Sequence, residues 1–279
     1  MGTEARNPRS YGLDKMSARE IVRLMDEEEA AVLRALEQAE DQLATVIERA
    51  AEAFQKGGCI VYVGAGTSGR IAIMDAAEMP PTFGIDGNRF VAVVPGGSEA
   101  MAQAVERAED DEHAAISAMN ELRLRRDDIV IGLAASGRTP FVISAVRHAR
   151  QKGVWTCGIA NNRNSPLLQE SDFGVLLDTG PEVLTGSTRL KAGTAQKLAL
   201  NRISTGAMVL SGKVIENLMV DVKATNKKLQ ERCARIVCEL SPATYDEALS
   251  LLEDNGWNIR AAVDAAIKTP APNASSKGA

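Results

Sequence analysis

The stretch CIVYVGAGTSGR, residues 59–70, decides the fold of this 279-residue chain. It starts with a nearly continuous apolar run that ends at glycine, a pattern typical of a parallel strand buried on both faces. It continues as GAGTSGR at 64–70, which is rich in glycine and hydroxyl residues and opens a helical segment. The stretch therefore predicts a buried strand, a tight turn and a helix, the unit from which α/β folds are built.

Four further runs along the chain are similar to that strand. They are RFVAVVPGG near 89–97, DIVIGLAAS near 128–136, VWTCGIANN near 154–162 and the weaker FGVLLDTG near 173–180. The segments between them are helical and of about the length that crossover connections need. One crossover is well marked, because Thr139 can cap a helix that has Pro140 as its first residue and Gly153 can end it. We therefore predict an α/β fold with a doubly wound parallel sheet.

Helical segments flank this sheet in the sequence. Ser17 and Glu20 are spaced as a capping box before an N-terminal helical hairpin or bent helix. Helix is again expected from Thr188 to about Leu240, and a last pair of short helices is expected to break at 255–256. The predicted parts are an N-terminal helical region at 1–56, the sheet domain with its following helices at 57–240, a small helical module at 241–268 and a disordered tail at 269–279.

Composition excludes several classes of function. A net charge of -5 and an aromatic content of 4% leave no basic stripe and little stacking surface, so no nucleic-acid partner is expected. No apolar run reaches transmembrane length, and the leader MGTEARNPRS lacks an apolar signal core. We expect a cytoplasmic protein without a membrane partner. Four cysteines without a CxxC pair and two histidines predict neither a metal site nor a Ser-His-Asp triad.

Two glycine-rich turns are candidates for anion binding. GAGTSGR places backbone N–H groups and the hydroxyls of Thr67 and Ser68 at a helix N-terminus. It lacks the glycine spacing of a dinucleotide site and the lysine of a P-loop, and by itself it can be a structural turn without a ligand. A second such turn, AASGRTP at 134–140, also follows a predicted strand. Because open α/β sheets bind ligands at the carboxyl ends of their strands, the pair favours a phosphate or a sugar phosphate.

A third polar element is GPEVLTGSTRLKAGTAQK at 180–197, with four hydroxyl residues, two lysines and an arginine before a helix. It can close over a ligand. An exposed loop with a helix cap at Ser187 or Thr188 explains the pattern equally well.

Carboxylates are the plausible acid and base groups in this chain, since histidines are scarce. Glu78 lies in the mostly apolar stretch IMDAAEMPPTFG, where burial could keep it protonated. Glu106 and Glu109 lie three residues apart in AVERAEDD. For any single glutamate, a solvated acidic helix end is the plain structural alternative.

Together these segments resemble the N-acetylmuramic acid 6-phosphate etherases, a family of the sugar isomerase domain superfamily. The resemblance covers most of the chain and is carried by TEARNPRS, LDKMS, VYVGAGTSGR, DAAEMPPTFG, AVERAEDD, GLAASGRTPFV, TGSTRLKAGTAQKLALN and SGKVIENLMVDVKATNKKL. The turn GTS alone indicates only the superfamily. The strings DAAEMPPTFG and AVERAEDD, which contain the glutamates, and TGSTRLKAGTAQK are similar to the etherases in particular.

The resemblance implies a role for each matching position. It implies that Glu78 is the catalytic acid and Glu109 the second catalytic glutamate, and Glu106 becomes a bystander. Arg107 departs from the small glycine usual in the family, and the C-terminal module is short for it. The residues expected to bind the phosphate and sugar are Gly66, Thr67, Ser68, Ser136, Thr139, Ser187 and Lys191.

The implied reaction cleaves the D-lactyl ether of an amino sugar phosphate. One carboxylate removes the C2 proton, a protonated carboxyl assists departure of the lactyl oxygen from C3, and water then adds. No metal or redox cofactor is expected. One way to give the two glutamates different pKa values is to bury Glu78 in an apolar environment while Glu109 is more exposed. The superfamily also implies a homodimer with sites near its interface.

Two other functions fit the same fold. A sugar-phosphate sensor similar to the glucokinase regulatory protein would need the phosphate turns but neither glutamate. An aldose-ketose isomerase or a sugar-sensing transcription factor is the other alternative, and the chain lacks the basic helix-turn-helix segment that such a factor needs.

Overall fold

Five parallel strands form one sheet in the computed structural model, which describes residues 2–97 and 108–268. The strands are β1 (Ile60–Gly64), β2 (Phe90–Val93), β3 (Ile129–Leu133), β4 (Trp155–Ala160) and β5 (Phe173–Leu176). Their order in the sheet is β2-β1-β3-β4-β5. Each coincides with one of the five apolar runs in the sequence, so the predicted doubly wound parallel sheet is confirmed.

Helices precede, connect and follow the strands. They are α1 (Ala18–Gln38), α2 (Glu40–Gln55), α3 (Gly66–Phe83), α4 (Glu112–Glu121), α5 (Pro140–Gln151), α6 (Pro166–Glu170), α7 (Lys191–Leu210), α8 (Lys227–Leu240), α9 (Tyr245–Asp254) and α10 (Ile259–Lys268). The predicted capping box is present, since Ser17 N–H donates to the Glu20 carboxylate at 2.7 Å and the Ser17 hydroxyl accepts from Glu20 N–H at 3.4 Å. In the described part of the chain, no helix is both long and apolar enough to span a membrane.

Helices cover both faces of the sheet because its central strands are buried throughout. All residues of β1 and β3 are buried. On one face, Val61 and Val130 pack against Met119 of α4 and Phe141 of α5. On the other, α2 contacts β1 and β3 and packs along α7. The alternation of side chains along a strand provides apolar surface for both layers.

The chain forms two compact units. Among the described residues, the first contains those up to Glu78 and those within Gly87–Ser211, and the second contains Met79–Asp86 and residues 212–268. Thus α1 and α2 belong with the sheet, whereas α8 belongs with α9 and α10. This division differs from the predicted boundaries at 57–240 and 241–268. The reason is the apolar face of α8, which forms a separate core with the two last helices through residues that include Cys233, Val237, Leu252, Ile259 and Val263.

The helical stretch predicted from Thr188 to Leu240 is interrupted, so that prediction is wrong in its middle part. The helix α7 ends at Leu210 and is followed by Gly212 with φ +73°, a conformation in which glycine avoids the strain of a side chain. Residues 211–226 are not helical. The two helices predicted on either side of 255–256 are present as α9 and α10. The predicted tail at 269–279 lies outside the described residues.

Candidate functional site

The carboxyl ends of β1 and β3 lie side by side and form the natural ligand edge of the sheet. Gly64, the last residue of β1, is in register with Leu133, the last residue of β3. From β1 the chain continues to β2 on one side of the sheet, and from β3 it continues to β4 on the other side. The direction of the strand order therefore reverses between β1 and β3. Open α/β sheets bind ligands at such a reversal. Both predicted anion-binding turns leave this edge.

The first turn joins β1 to α3 through a single residue, Ala65. Gly66 has φ +54° and is exposed, and the first intrahelical hydrogen bond runs from Gly69 N–H to the Ala65 carbonyl at 3.2 Å. The preceding N–H groups, including those of Thr67 and Ser68, are therefore at the open end of the helix, where they suit an anion. A side chain on Gly69 would come within 2.7 Å of the Gly64 carbonyl oxygen, so this close approach requires glycine.

The hydroxyl of Ser68 points into the protein. It is buried and donates to Gln196 Oε1 of α7 at 2.7 Å. Gln196 Nε2 donates in turn to Asn161 Oδ1 at 3.2 Å, and Asn161 Nδ2 donates to the Leu177 carbonyl at 2.8 Å. This placement differs from the prediction that the hydroxyl contacts the phosphate. The hydroxyl fixes the turn to α7, and the group that Ser68 can offer an anion is its backbone N–H.

The second turn joins β3 to α5. Ser136 is partly buried, and its hydroxyl accepts from Arg138 N–H at 3.2 Å. Gly137 has φ +66° and lies against Ser165, where a side chain would come within 2.2 Å of the Ser165 hydroxyl oxygen. Thr139 is at the N-cap position before Pro140 as predicted, but its hydroxyl makes no capping hydrogen bond in this structure. That hydroxyl is therefore not committed to the helix it precedes.

Asn162 links the second turn to the start of the described chain. Its Nδ2 donates to the Ala135 and Ser136 carbonyls at 3.4 Å and 3.5 Å, and to the Thr3 hydroxyl at 2.6 Å. Its Oδ1 accepts from Thr3 N–H at 3.0 Å. The side chain is buried and directly follows β4 with Asn161. Sequence reasoning missed both asparagines, although a polar pair right after a buried strand is a usable signal.

A buried carboxylate caps α7. Glu182 is fully buried and accepts from Lys191 N–H at 3.1 Å and from Ala192 N–H at 2.9 Å. Burial raises the pKa of Glu182, while the two N–H hydrogen bonds act in the opposite direction. Because α7 begins at Lys191, neither Ser187 nor Thr188 caps it. Ser187 is half-buried in the preceding loop, with its N–H donating to the Leu184 carbonyl at 2.9 Å.

The side chain of Lys191 forms an ion pair with α1. Its Nζ lies 2.5 Å from Glu28 Oε2, and both side chains are buried. The same carboxylate accepts from Asn7 Nδ2 at 2.7 Å and lies 3.2 Å from Arg9 Nη1. Burial acts to raise the pKa of Glu28, but these hydrogen bonds and positive charges hold it below its usual value. This position differs from the prediction that Lys191 binds the substrate phosphate or sugar, since its ammonium group already pairs with a buried carboxylate.

Glu78 lies far along α3 from the first turn. It is twelve residues after Gly66, which at the rise of an α-helix corresponds to about 18 Å. Its side chain is exposed, so the predicted burial of this carboxyl is not seen in the single chain. The buried face of α3 passes instead through Ala72, Asp75 and Ala76.

Asp75 is the buried carboxyl on α3, and sequence reasoning missed it. It accepts from the Tyr62 hydroxyl at 3.1 Å, from Asn201 Nδ2 at 2.8 Å and from the Ser204 hydroxyl at 3.1 Å. Burial raises the pKa of Asp75 above its usual value, although these hydrogen bonds act the other way. The network ties α3 to β1 and α7, so we assign it to the framework of the site.

Glu109 lies near the start of α5, the helix that follows the second turn. It is exposed in a short 3-10 turn, Ala108–Asp110, that packs against α5. The next helix runs parallel to α5, because Glu112 accepts from the Ser144 hydroxyl at 2.7 Å and Asn120 accepts from Lys152 Nζ at 2.6 Å. Residues before Glu112 therefore lie toward the start of α5. Two positions named from the sequence, at 106 and 107, lie outside the described residues.

The structure thus brings together some predicted site residues and separates others. The two turns and Glu109 lie toward the carboxyl edge, Ser68 and Lys191 point inward, and Glu78 is distant along its helix. The residues that sequence reasoning missed share one property, which is a buried polar side chain with a hydrogen-bond partner far away in the sequence or, for Glu182, at the start of α7. They are Asn7, Glu28, Asp75, Asn161, Asn162, Glu182 and Gln196.

Family models cover the region of the sheet. One described as the glucokinase regulatory protein N-terminal SIS domain matches residues 42–150, and one described as the SIS domain matches residues 101–203. Among solved structures, an Escherichia coli CFT073 protein in complex with A5P has a TM-score of 0.52 at 19% identity, covering 72% of this chain and 97% of that chain. A Listeria monocytogenes protein classed as a sugar-phosphate isomerase has a TM-score of 0.53 at 19% identity, covering 71% and 93%. These likenesses support the fold alone.

Similarity to curated relatives extends over nearly the whole chain. The protein from Geobacillus thermodenitrificans named N-acetylmuramic acid 6-phosphate etherase is 47% identical over 263 residues, which cover 94% of this chain and 89% of the relative. Relatives of that name from Serratia proteamaculans and Lactobacillus acidophilus are 48% and 45% identical over 261 residues, covering 94% of this chain and 88% of each relative. The resemblance seen in the sequence is confirmed, and the chain belongs to the N-acetylmuramic acid 6-phosphate etherase family.

Proposed function

We propose that this protein is a carbon-oxygen lyase that cleaves the D-lactyl ether of N-acetylmuramic acid 6-phosphate, giving N-acetylglucosamine 6-phosphate and D-lactate. The observation that carries the proposal is 47% identity over 94% of the chain to a relative of that name. The reaction belongs to the recycling of cell-wall amino sugars, and we place the enzyme in the cytoplasm.

The two turns at the carboxyl edge are the proposed phosphate site. The N–H groups of Gly66, Thr67 and Ser68 open α3, and Ser136 and Thr139 precede α5 at the neighbouring strand end. Two helix N-termini that converge on one edge favour a dianion, because their unpaired N–H groups and helix dipoles both attract negative charge. A small phosphorylated sugar suits an acidic chain better than a polyanion does.

The two glutamates are the proposed acid and base. The Glu109 carboxylate takes the C2 proton of the ring-opened sugar, and the electrons of that C–H bond are held as an enolate with the neighbouring C1 aldehyde. In a second step these electrons form the C2=C3 double bond as the C3–O bond breaks. The Glu78 carboxyl gives its proton to the departing lactyl oxygen. Water then adds across the double bond, with its hydroxyl going to C3 and a proton to C2. The step is general acid–base catalysis and needs no cofactor.

We propose further that the enzyme acts as a homodimer in which a second copy provides Glu78 to each site. The reacting carbons are only a few bonds from the substrate phosphate. A Glu78 about 18 Å along α3 from Gly66 is too far to reach a substrate bound at the start of its own helix. A two-fold dimer can place the far part of one α3 beside the turns of the other copy.

Lactate release tests the activity. Purified protein incubated with N-acetylmuramic acid 6-phosphate is expected to release D-lactate in an amount equal to the N-acetylglucosamine 6-phosphate formed. A sensor similar to the glucokinase regulatory protein, whose domain model matches residues 42–150, would bind the sugar phosphate and release none. That result would contradict the proposed activity.

Mixing two inactive variants tests the shared site. If Glu78 and Glu109 of different copies form one site, refolding Glu78→Gln together with Glu109→Gln in equal amounts should restore about a quarter of wild-type activity, because half of the dimers are mixed and each has one intact site of two. If both glutamates act within one copy, no mixed dimer has an intact site. Activity that stays at the level of the separate variants would therefore contradict the shared site.

A further inference from the structure

Residues 2–10, which we call the N-terminal strap, contact both loops of the candidate site. The anchors of the strap are Thr3, which is 0% exposed, and Asn7, which is 3% exposed. The residues at 4–6 between them are exposed. A polar segment with two such deeply buried polar side chains is held by specific hydrogen bonds, because burial of a polar group without a partner is costly.

The first anchor reaches the second anion-binding turn. Thr3 exchanges two hydrogen bonds with Asn162, donating from its N–H to Oδ1 at 3.0 Å and accepting at its hydroxyl from Nδ2 at 2.6 Å. The Asn162 Nδ2 also lies 3.4 Å and 3.5 Å from the carbonyls of Ala135 and Ser136. Thr3 therefore fixes the amide that lies against the backbone of this turn.

The second anchor reaches the loop before α7. Asn7 Nδ2 donates to Glu28 Oε2 at 2.7 Å and approaches the Pro181 carbonyl at 3.4 Å. Glu28 pairs with Lys191 at the first position of α7, and the residue after Pro181 is the carboxylate that caps this helix. Asn7 thus contacts the loop at its start and, through Glu28, at its end.

We propose that the N-terminal strap is a positioning element of the substrate site, with Thr3, Asn7 and Asn162 as its positioning residues. This inference rests on the proposed function, since it takes the two loops to be the ones that hold the sugar phosphate. The strap holds the N–H groups of the second turn and the start of α7 in the geometry that binds the phosphate. Its loss weakens binding of the ground state and the transition state alike, so it raises KM more than it lowers kcat.

Substitutions within the strap test this role with a conservative rescue. Thr3→Val keeps the backbone N–H and the shape but removes the acceptor for Asn162 Nδ2. Thr3→Ser keeps that acceptor. Ala5→Ser changes an exposed position of the same strap and is the matched control. We expect Thr3→Val to raise KM for N-acetylmuramic acid 6-phosphate about tenfold with kcat within about twofold of wild type, since one buried donor loses its partner. Thr3→Ser and Ala5→Ser should keep the wild-type KM.

A binding measurement separates this inference from the proposed activity. Titration calorimetry with N-acetylglucosamine 6-phosphate needs no turnover, and Thr3→Val should bind it about tenfold more weakly than wild type. If the wild type releases no lactate but Thr3→Val still loses this affinity, the proposed activity fails and the strap keeps its role. Equal affinity of Thr3→Val and Ala5→Ser, or a loss that Thr3→Ser does not restore, would overturn the inference.

Discussion

The buried pair of Glu28 and Lys191 allows a test of whether this lysine supports the fold or binds substrate. Each substitution, Lys191→Met or Glu28→Leu, leaves one charge buried without its main partner, at a cost of about 3–5 kcal/mol in the free energy of unfolding. The cost of Lys191→Met should lie near the lower end of this range, because the Glu28 carboxylate keeps two other partners, Asn7 Nδ2 at 2.7 Å and Arg9 Nη1 at 3.2 Å. In the double variant, no charge of the pair remains. The loss of unfolding free energy in the double variant should be smaller than the sum of the losses in the two single variants by at least about 2 kcal/mol.

Urea unfolding followed by tryptophan fluorescence measures these costs. The chain has two tryptophans, with Trp155 in the first compact unit and Trp257 in the second. A Trp257→Phe background therefore restricts the signal to the unit that contains the pair. Lys15→Met removes the same charge from an exposed position of that same unit and is the control, expected within about 0.5 kcal/mol of the background.

Two results would refute this role. One is additive costs in the double-mutant cycle, which would mean that the two side chains do not interact. The other is a Lys191→Met variant as stable as the Lys15→Met control but with a raised KM. That second pattern is what the sequence prediction of a phosphate-binding lysine requires.

Three other predictions follow from the site. Ser68→Ala should lower the free energy of unfolding by about 1–3 kcal/mol in urea titrations, because it leaves Gln196 Oε1 buried without its 2.7 Å donor. Glu109→Gln should abolish both lactate release and exchange of the C2 proton in deuterium oxide, as followed by NMR, whereas Glu78→Gln should slow lactate release about 10²–10⁴-fold with some exchange surviving. Exchange that survives only in the Glu109 variant would reverse these roles. Burial raises the pKa of Asp75 in the folded protein. The protonated Asp75 carboxyl therefore contributes stability at pH values below its unfolded pKa of about 3.9, and this contribution is lost as the pH rises through the pKa of the folded state. Wild type should therefore lose stability relative to Asp75→Asn as the pH rises above about 3.9 in urea midpoints, and a constant difference would contradict this.

The strands and turns were predictable from sequence because their signals are local. A strand buried on both faces must be apolar along its whole length, and a close strand-to-helix approach requires glycine at positions such as Gly69. The capping box at Ser17 depends on two residues three positions apart. In each case, the sequence that determines the feature lies within the feature itself.

Side-chain assignments that depend on distant partners were not predictable in this way. A lysine in a polar loop looks available for a ligand, and only the fold shows that Glu28 lies 2.5 Å from Lys191. Likewise, the hydroxyl of Ser68 is taken by Gln196, 128 positions later. The exposure of Glu78 was missed because apolar neighbours in sequence do not ensure burial: Met79 is buried, but Met74 and Ala77 are exposed together with Glu78.

The hydrogen bonds of the N-terminal strap have a consequence for the order of folding. Thr3 and Asn162 are 159 positions apart, and Asn7 and Pro181 are 174 positions apart. During synthesis, the early residues are made long before their partners, so their buried polar groups must stay hydrated until β4 and the loop before α7 have emerged. Contacts of such long sequence separation carry a large loop-closure cost and form late. The sheet can therefore assemble first, and the substrate loops acquire their final geometry only when the two ends of this long stretch of chain meet.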